Sequence, residues 1–146
     1  MVKFDERAIL DNGAYIYAMR QEIEAIADAV CEKGFDNILF TASGGSLAMM
    51  QPFDYMISVM SGLDVRSQVS AELLGVGNNR LTDRTLVFMA SKSGDTKETV
   101  EAAGYVKEKG AAIISVLGVE GSPLGGLSDY TVVYKDGRPQ EFVLYM

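Results

Sequence analysis

The sequence predicts an α/β domain with a doubly wound, five-stranded parallel sheet and helices on both faces. Short apolar segments typical of buried strands alternate with segments whose apolar residues have helical spacing. Such an alternation is typical of a parallel sheet covered on both sides. The common strand order of a five-stranded sheet of this kind is 2-1-3-4-5, and we expect that order here.

The elements follow one another in a regular order along the chain. Apolar residues at steps of three and four predict one amphipathic helix from Gly13 to Lys33, which ends at Gly34. Apolar runs predict strands at residues 37–42, 64–69, 85–90, 111–118 and 130–135. The segments between them are predicted to be helices at residues 46–60, 70–74 and 95–109, with a single helical turn within 119–129.

Composition excludes several classes of protein. A chain of 146 residues is the size of one domain. Its 20 acidic and 13 basic residues leave a net charge of −7, which argues against a nucleic-acid partner. No apolar stretch approaches the roughly 18 residues of a membrane helix, and acids near the start do not fit a secretory signal. A single cysteine permits no internal disulfide, and we expect a cytoplasmic protein without a membrane partner.

Two loops rich in hydroxyl groups follow the first and third predicted strands. Each loop opens a helix, and together they carry Ser43, Ser46, Ser91, Ser93 and Thr96. In the expected strand order these two strands are neighbours, so both loops lie at the crevice where such sheets bind ligands. Helix N-termini attract anions because their first N–H groups lack acceptors. The sequence therefore predicts a phosphate site, although the net charge is negative.

Each loop taken alone has a simpler interpretation. Serine and threonine before a helix commonly act as N-caps, and Asp95 fits an acidic first turn. Lys92 either neutralises a phosphate or is merely solvated. The usual nucleotide sites are disfavoured, because the loops lack the G-x-G-x-x-G spacing of dinucleotide folds and the G-K-[ST] of a P-loop. A response-regulator-like receiver is excluded, since it needs acids where this chain has Ser43 and Ser91.

The sulfur-containing side chains are interpreted as packing residues. Met49, Met50, Met56 and Met60 have helical spacing and are predicted to fill the core beneath the helix at 46–60. Cys31 lies in the predicted N-terminal helix and is interpreted as an inert packing residue rather than as a nucleophile. Neither prediction gives these side chains a role in the crevice.

Both loops resemble motifs of a known family. Residues 91–96 read SKSGDT and resemble the S-x-S-G-[ED]-T signature of sugar isomerase (SIS) domains, which have a flavodoxin-like fold. Residues 43–46 read SGGS and resemble the first phosphate loop of the same domains, with Gly45 inside it. The resemblance extends over the whole chain.

The resemblance implies a role for individual residues. Hydroxyl groups at the positions of Ser46, Ser91, Ser93 and Thr96 hold the phosphate of a phosphosugar in that family. Lys92 stands where glutamine is common, so the resemblance assigns it no role. No cofactor and no metal ion is expected.

The stretch at residues 44–52 looks most like the branch of fructosamine and glucoselysine 6-phosphate deglycases. The resemblance implies action on a sugar 6-phosphate, either by a deglycase or by an aldose–ketose or amino-sugar isomerase. A proton would move between C1 and C2 of the open-chain sugar. Enzymes of this kind carry two SIS domains in tandem. Half of such an enzyme exposes apolar surface, expected within residues 130–146, and we therefore expect a homo-oligomer.

The expected catalytic groups are mostly absent from this chain. The resemblance implies a Glu and a His that lie largely in the second domain, and the chain contains no histidine. Glu72 and Glu141 are the candidate catalytic acids, each with a structural alternative. We expect an N-terminal helical segment at 1–34, an SIS core at 35–136 and the start of a connection to a second domain at 137–146. The chain is interpreted as the N-terminal half of an enzyme, and a non-catalytic phosphosugar sensor is the alternative.

Overall fold

The computed structural model describes residues 6–134, except for the side chains of residues 6, 8, 9, 12 and 16. The helices in this range are α1 Glu6–Ala18, α2 Arg20–Lys33, α3 Gly45–Met60, α4 Ser70–Val76, α5 Lys97–Glu108 and α6 Pro123–Leu127. The strands are β1 Asn37–Ala42, β2 Asp64–Val69, β3 Thr85–Ser91, β4 Ala112–Leu117 and β5 Tyr130–Val133. None of the helices between residues 6 and 134 combines the length and apolar character needed to cross a bilayer.

The sheet confirms the predicted fold class and strand order. All five strands are parallel and follow the order β2-β1-β3-β4-β5. Ala42, the last residue of β1, pairs with Val69 of β2 on one side and with Ala90 of β3 on the other. Successive strands are added in opposite directions from β1, and ligands bind beyond the carboxyl ends at such a reversal. The ends of β1 and β3 therefore lie side by side at this position.

Two apolar layers enclose the sheet. β1 and β3 are buried almost throughout, because helices cover both faces. On one face, α2 and α3 pack Val30 and Met50 against the sheet. On the other face, α4, α5 and α6 pack Leu73, Val106 and Leu124 against it. The two layers hold the strand ends in place, and the loops of the candidate site project from those ends.

The N-terminal helical segment is two helices rather than the one predicted for residues 13–33. α1 ends before Met19 and α2 begins after it. Met19 is buried, and its C=O accepts a hydrogen bond from the N–H of Ile23 at 3.0 Å. The hydroxyl of Tyr15 donates to the C=O of Val133 at 3.0 Å, which joins α1 to edge strand β5. Charged residues between positions 5 and 11 interrupt the apolar pattern, so periodicity places the helix start too late.

The interpretation of the sulfur-containing side chains is partly wrong. Met50 is buried and Met49 half-buried, but Met56 and Met60 are largely exposed. Cys31 is also exposed, on α2. Helical spacing does not show which side of a helix meets the sheet when more than one side is apolar. α3 is such a helix, with a single charged residue among its 16 residues.

The apolar surface predicted at residues 130–146 is wrong for residues 130–134, which are buried or half-buried. The remainder of that segment lies outside the described residues.

Phe40 provides a test of the layer formed by α2 and α3. Its ring is buried, with its centroid 5.2 Å from that of Phe88. We expect Phe40→Ala to lower the free energy of unfolding by about 3–5 kcal/mol, because apolar contacts are lost and a cavity remains. Tyr17→Ala, at an exposed ring on α1, should change it by less than about 0.5 kcal/mol. Urea unfolding measures both values, and equal losses would contradict this description of the core.

Candidate functional site

The ends of β1 and β3 bring the two hydroxyl-rich loops together. Ala42 and Ala90 are paired in the sheet, so Ser43 and Ser91 come next to each other at its edge. The hydroxyl groups of Ser43 and Thr99 lie 3.3 Å apart, within hydrogen-bond distance. Thr99 is in the first turn of α5, so this contact joins the first loop to the helix that follows the second. Both loops and the N-termini of α3 and α5 therefore lie together at the predicted crevice beyond β1 and β3.

Glycine shapes the first loop. Gly44 has φ +54°, in the left-handed region that favours glycine, and it is the N-cap residue of α3. Its C=O accepts hydrogen bonds from the N–H groups of Leu47 and Ala48, both at 3.2 Å. No side chain caps this helix end, so the half-buried hydroxyl of Ser46 is not used to start the helix. The N-cap interpretation is therefore wrong for α3, whose first N–H groups begin at the exposed Gly45.

Ser91 shapes the second loop from within. It is buried at the end of β3, and its hydroxyl oxygen accepts a hydrogen bond from the N–H of Gly94 at 3.0 Å. The hydroxyl groups of Ser91 and Thr96 lie 3.1 Å apart. Gly94 has φ +71°, which allows the chain to turn back towards Ser91. The side chain of Ser91 therefore stabilises a tight turn in addition to any contact with a ligand.

Thr96 starts α5 with its backbone. Its C=O accepts hydrogen bonds from the N–H groups of Thr99 and Val100 at 3.0 and 2.9 Å. No side chain caps this helix end either, so the N-cap interpretation is also wrong here. The helix begins at Lys97, two residues after the predicted start, and Asp95 precedes its first turn. The first N–H groups of α5, like those of α3, have no acceptor inside the helix.

Lys92, Ser93 and Asp95 are the exposed residues of the second loop. The C=O of Lys92 accepts a hydrogen bond from the N–H of Gly118 at 3.1 Å, which ties the loop to the end of β4. Because this contact uses only the backbone, the ammonium group and the hydroxyl group remain accessible from solvent.

The loop between β4 and α6 braces the second loop. The N–H of Leu124 donates to the C=O of Gly94 at 2.9 Å. The buried side chain of Ser122 packs directly on Gly94, since a Cβ atom added there would clash with Ser122 Oγ. The sequence reasoning missed Gly118, Ser122 and Leu124. Contacts between loops distant in sequence leave no local pattern from which to predict them.

Thr99 is also absent from the predicted site, although the sequence contains a signal for it. It is buried and makes the contact with Ser43 that connects the two loops. Thr99 follows Thr96 by three residues, and residues three apart share one side of a helix. A hydroxyl residue three positions after Thr96 is therefore a signal that helical periodicity reveals.

The structure places Glu72 beside edge strand β2. It is exposed in the first turn of α4 and lines an open surface depression together with Arg66 and Arg80. An acid in the first turn is favoured by the helix dipole, which accounts for Glu72 without a catalytic role. Glu141, the other candidate acid, lies outside the described residues.

Family comparison agrees with the fold and the two loops. The model of the SIS domain family matches residues 34–143, which include β1 to β5 and both loops. The chain belongs to the SIS domain family. The resemblance inferred from the two loop motifs is thereby confirmed, and both loops lie within the matched range.

Two named relatives are similar to this SIS domain in sequence. Fructosamine deglycase FrlB of Bacillus subtilis is 32% identical over 120 residues, which cover 82% of this chain and 37% of the relative. The isomerising glutamine–fructose-6-phosphate aminotransferase of Methanococcus maripaludis is 33% identical over 133 residues, which cover 91% of this chain and 21% of the relative. The chain therefore spans well under half the length of either relative.

A solved structure shares the fold. A Bacillus subtilis protein, provisionally assigned as a phosphosugar isomerase, superimposes with a TM-score of 0.70 at 31% sequence identity. The match covers 77% of this chain and 36% of that protein. The sheet order and the two loops at its carboxyl edge thus belong to an architecture found in a longer, phosphosugar isomerase-like protein.

Gly94→Ala tests the contact between the second loop and the loop that follows β4. The added Cβ meets Ser122 and the positive φ strains an alanine, so we expect a loss of about 2–4 kcal/mol in the free energy of unfolding. Gly121→Ala is the matched control, because its φ is +69° but a Cβ there meets nothing within 4 Å. It should cost about 1 kcal/mol from backbone strain alone. Equal losses in urea unfolding would show that packing against Ser122 does not constrain the loop.

Proposed function

We propose that this SIS domain binds the phosphate group of a sugar 6-phosphate in the crevice between its two loops. The observation that carries the proposal is the pair of helix N-termini, at α3 and α5, that no side chain caps although hydroxyl groups adjoin both. Unpaired N–H groups and the positive ends of two helix dipoles favour an anion with several acceptor oxygens. The net charge of −7 does not oppose this, because surface charges are screened beyond about 8 Å.

The exposed and half-buried residues of the loops are the proposed direct contacts. Ser46, Ser93 and Thr96 donate hydroxyl hydrogen bonds to the phosphate oxygens, together with the N–H of Gly45. Lys92, exposed in the same loop, neutralises part of the charge. Hydrogen bonds to an ionised phosphate are shorter and stronger than bonds between neutral groups.

Ser43 and Ser91 contribute to the proposed site mainly by holding the loops. Their hydroxyl groups already lie within hydrogen-bond distance of those of Thr99 and Thr96. A hydroxyl group has one proton to donate and two lone pairs to accept. Ser91 therefore accepts from Gly94 and donates its proton either to Thr96 or to the phosphate.

The names of the relatives support a sugar 6-phosphate as the ligand class. One is an aminotransferase of fructose 6-phosphate by name, and the other is a fructosamine deglycase. We place the activity of the whole protein in the same class: deglycation of fructosamine-type 6-phosphates, or isomerisation of an aldose, ketose or amino sugar. In such a reaction the anchored phosphate holds C1 and C2 near the group that moves the proton.

The proposed reaction needs an acid and a base from outside this chain. The chain contains no histidine, and Glu72 lies beside β2. We propose that residues 35–136 form the SIS core with the helical segment 1–34, and that 137–146 begin the connection to a second domain that supplies these groups. A cytoplasmic homo-oligomer is part of this proposal. The lack of histidine also favours one alternative, a phosphosugar sensor without catalysis.

Ligand binding tests the proposed phosphate site. A hexose 6-phosphate should raise the melting temperature by mass action, and the unphosphorylated hexose should not. Ser46→Ala and Ser93→Ala should each weaken binding by about 1.5–3 kcal/mol, because a hydrogen bond to a charged group is lost. Ser58→Ala is the control on the same helix as Ser46, about 18 Å away, and its hydroxyl donates to Asp54 instead. Calorimetric titration measures the affinities.

Two results would contradict the proposed phosphate site. The first is an equal thermal shift with the phosphorylated and the unphosphorylated sugar. Unchanged affinity in both Ser46→Ala and Ser93→Ala would show that the phosphate binds elsewhere.

A measurement of turnover distinguishes the proposed enzyme from the alternative, a phosphosugar sensor. The 146-residue chain should bind a sugar 6-phosphate without converting it, since acid–base catalysis contributes about 10²–10⁴-fold and histidine is absent. Proton exchange at C2, followed by NMR, measures the first chemical step. If this chain converts the sugar 6-phosphate and Glu72→Gln abolishes the conversion, the proposal that a second domain supplies the acid and the base is contradicted. If the reading frame continues past residue 146, turnover by the longer protein would support the enzyme, and binding alone would support the sensor.

A further inference from the structure

Two pairs of hydroxyl groups lie beneath the crevice, and each pair joins a buried residue to a half-buried one. Thr99 is 1% exposed, and its hydroxyl lies 3.3 Å from that of the half-buried Ser43. Ser91 is 3% exposed, and its hydroxyl lies 3.1 Å from that of the half-buried Thr96. In both pairs the half-buried member is the more accessible to a ligand.

Burial determines which hydroxyl group of the first pair is the donor. Among residues 6–134, the hydroxyl of Thr99 has no hydrogen-bond partner other than Ser43. It does not donate to a backbone carbonyl one turn earlier, as a threonine inside a helix often does. A buried donor without an acceptor is costly, so the proton of Thr99 belongs to the oxygen of Ser43. Ser43 accepts this bond and keeps its own proton for a second acceptor.

The second pair follows the same rule. The oxygen of Ser91 already accepts from the N–H of Gly94 at 3.0 Å, and the hydroxyl of Thr96 is in contact with it. Because Ser91 is buried, its proton is best satisfied by Thr96, which then keeps its own proton for the crevice. Each loop thus presents one donor proton at the same edge of the sheet, and a buried hydroxyl supports each donor.

We infer that Thr99 is a positioning residue for the phosphate site, because its hydroxyl makes Ser43 a donor to the ligand. Phosphate oxygens without a proton only accept hydrogen bonds, so the bonds from Thr99 to Ser43 and from Ser43 to the phosphate run in one direction. This chain of bonds is here called the relay. Hydrogen bonds in such a chain polarise and strengthen one another. The inference rests on the proposed phosphate site and adds Ser43 to its direct contacts, whereas Thr99 does not touch the ligand.

A third pair of hydroxyl groups provides a control for the relay. Thr41, two residues before Ser43, and Ser70 are both 0% exposed, and their hydroxyl groups lie 3.3 Å apart. The Thr41 pair therefore has the same chemistry and the same separation as the Thr99 pair. Since both of its members are fully buried, it presents no donor to a ligand.

Thr99→Val and Thr41→Val are a matched pair that tests the relay. Each replaces a buried threonine by a valine of similar shape and leaves a serine hydroxyl without its partner. We expect Thr99→Val to weaken the affinity for a hexose 6-phosphate about three- to tenfold, because Ser43 loses the bond that orients it. Thr41→Val, and Thr99→Ser, which restores the hydroxyl, should bind within about twofold of wild type. Calorimetric titration measures the affinities, and circular dichroism verifies that the variants are folded.

A double-mutant cycle separates an effect through Ser43 from a general structural effect. Ser43→Ala should weaken binding about tenfold, because the donor itself is lost. Thr99→Val added to Ser43→Ala should then weaken binding by less than about a further twofold, because the two residues act through one hydrogen bond to the ligand. A merely structural role of Thr99 predicts the same loss with and without the Ser43 hydroxyl.

Three results would overturn the relay and leave the phosphate site in place. They are equal affinities of Thr99→Val and Thr41→Val, an equal loss from Thr99→Val in both backgrounds, and an unchanged affinity of Ser43→Ala, each in a chain whose wild type binds the hexose 6-phosphate. Ser43→Ala, at a half-buried position, decides the question even if Thr99→Val does not fold. A wild-type chain that binds no hexose 6-phosphate would overturn the proposed function and, with it, the relay.

Discussion

The adjacency of β1 and β3 is the constraint on which the rest of this structure depends. Their hydrogen-bonded register ends with Ala42 opposite Ala90, and each strand is followed by a loop and a helix. Parallel strands end at the same edge of a sheet, so the two loops meet without any long-range loop folding. The buried apolar layers on both faces then keep the strand ends, and hence the N-termini of α3 and α5, in fixed positions.

Within the crevice, residues that hold the loops are distinct from residues that remain accessible. Ser91 is buried and bonded to Gly94, and the loop after β4 is tied to Lys92 and Gly94 by backbone hydrogen bonds. Ser93, in contrast, is exposed. A loop that is ordered before the ligand arrives loses less conformational entropy on binding. We therefore expect the hydrogen bonds from Gly118 and Leu124 to favour binding at the proposed phosphate site without touching the ligand.

α3 has two distinct ends. Its first turn follows glycines and leaves N–H groups near the ends of β1 and β3, while its C-terminal half exposes Tyr55, Val59 and Met60 to solvent. Both properties arise from its composition, because a helix with one charged residue has neither an acidic first turn nor a solvated polar side. Met56 and Met60 are exposed because only the opposite side of α3 packs against the sheet.

The sequence by itself determined the fold class, the strand order and the two loops with their family. Apolar periodicity, glycines and hydroxyl residues at strand ends are local features, and residues 91–96 carry the family motif within six positions. Only the tertiary structure decided the break at Met19, the exposed side of α3 and the packing of Ser122 on Gly94. These features depend on which segments meet in space. Ser122 excludes a larger residue at Gly94 only because the loop after β4 folds against the loop after β3, and no spacing along the chain records that contact.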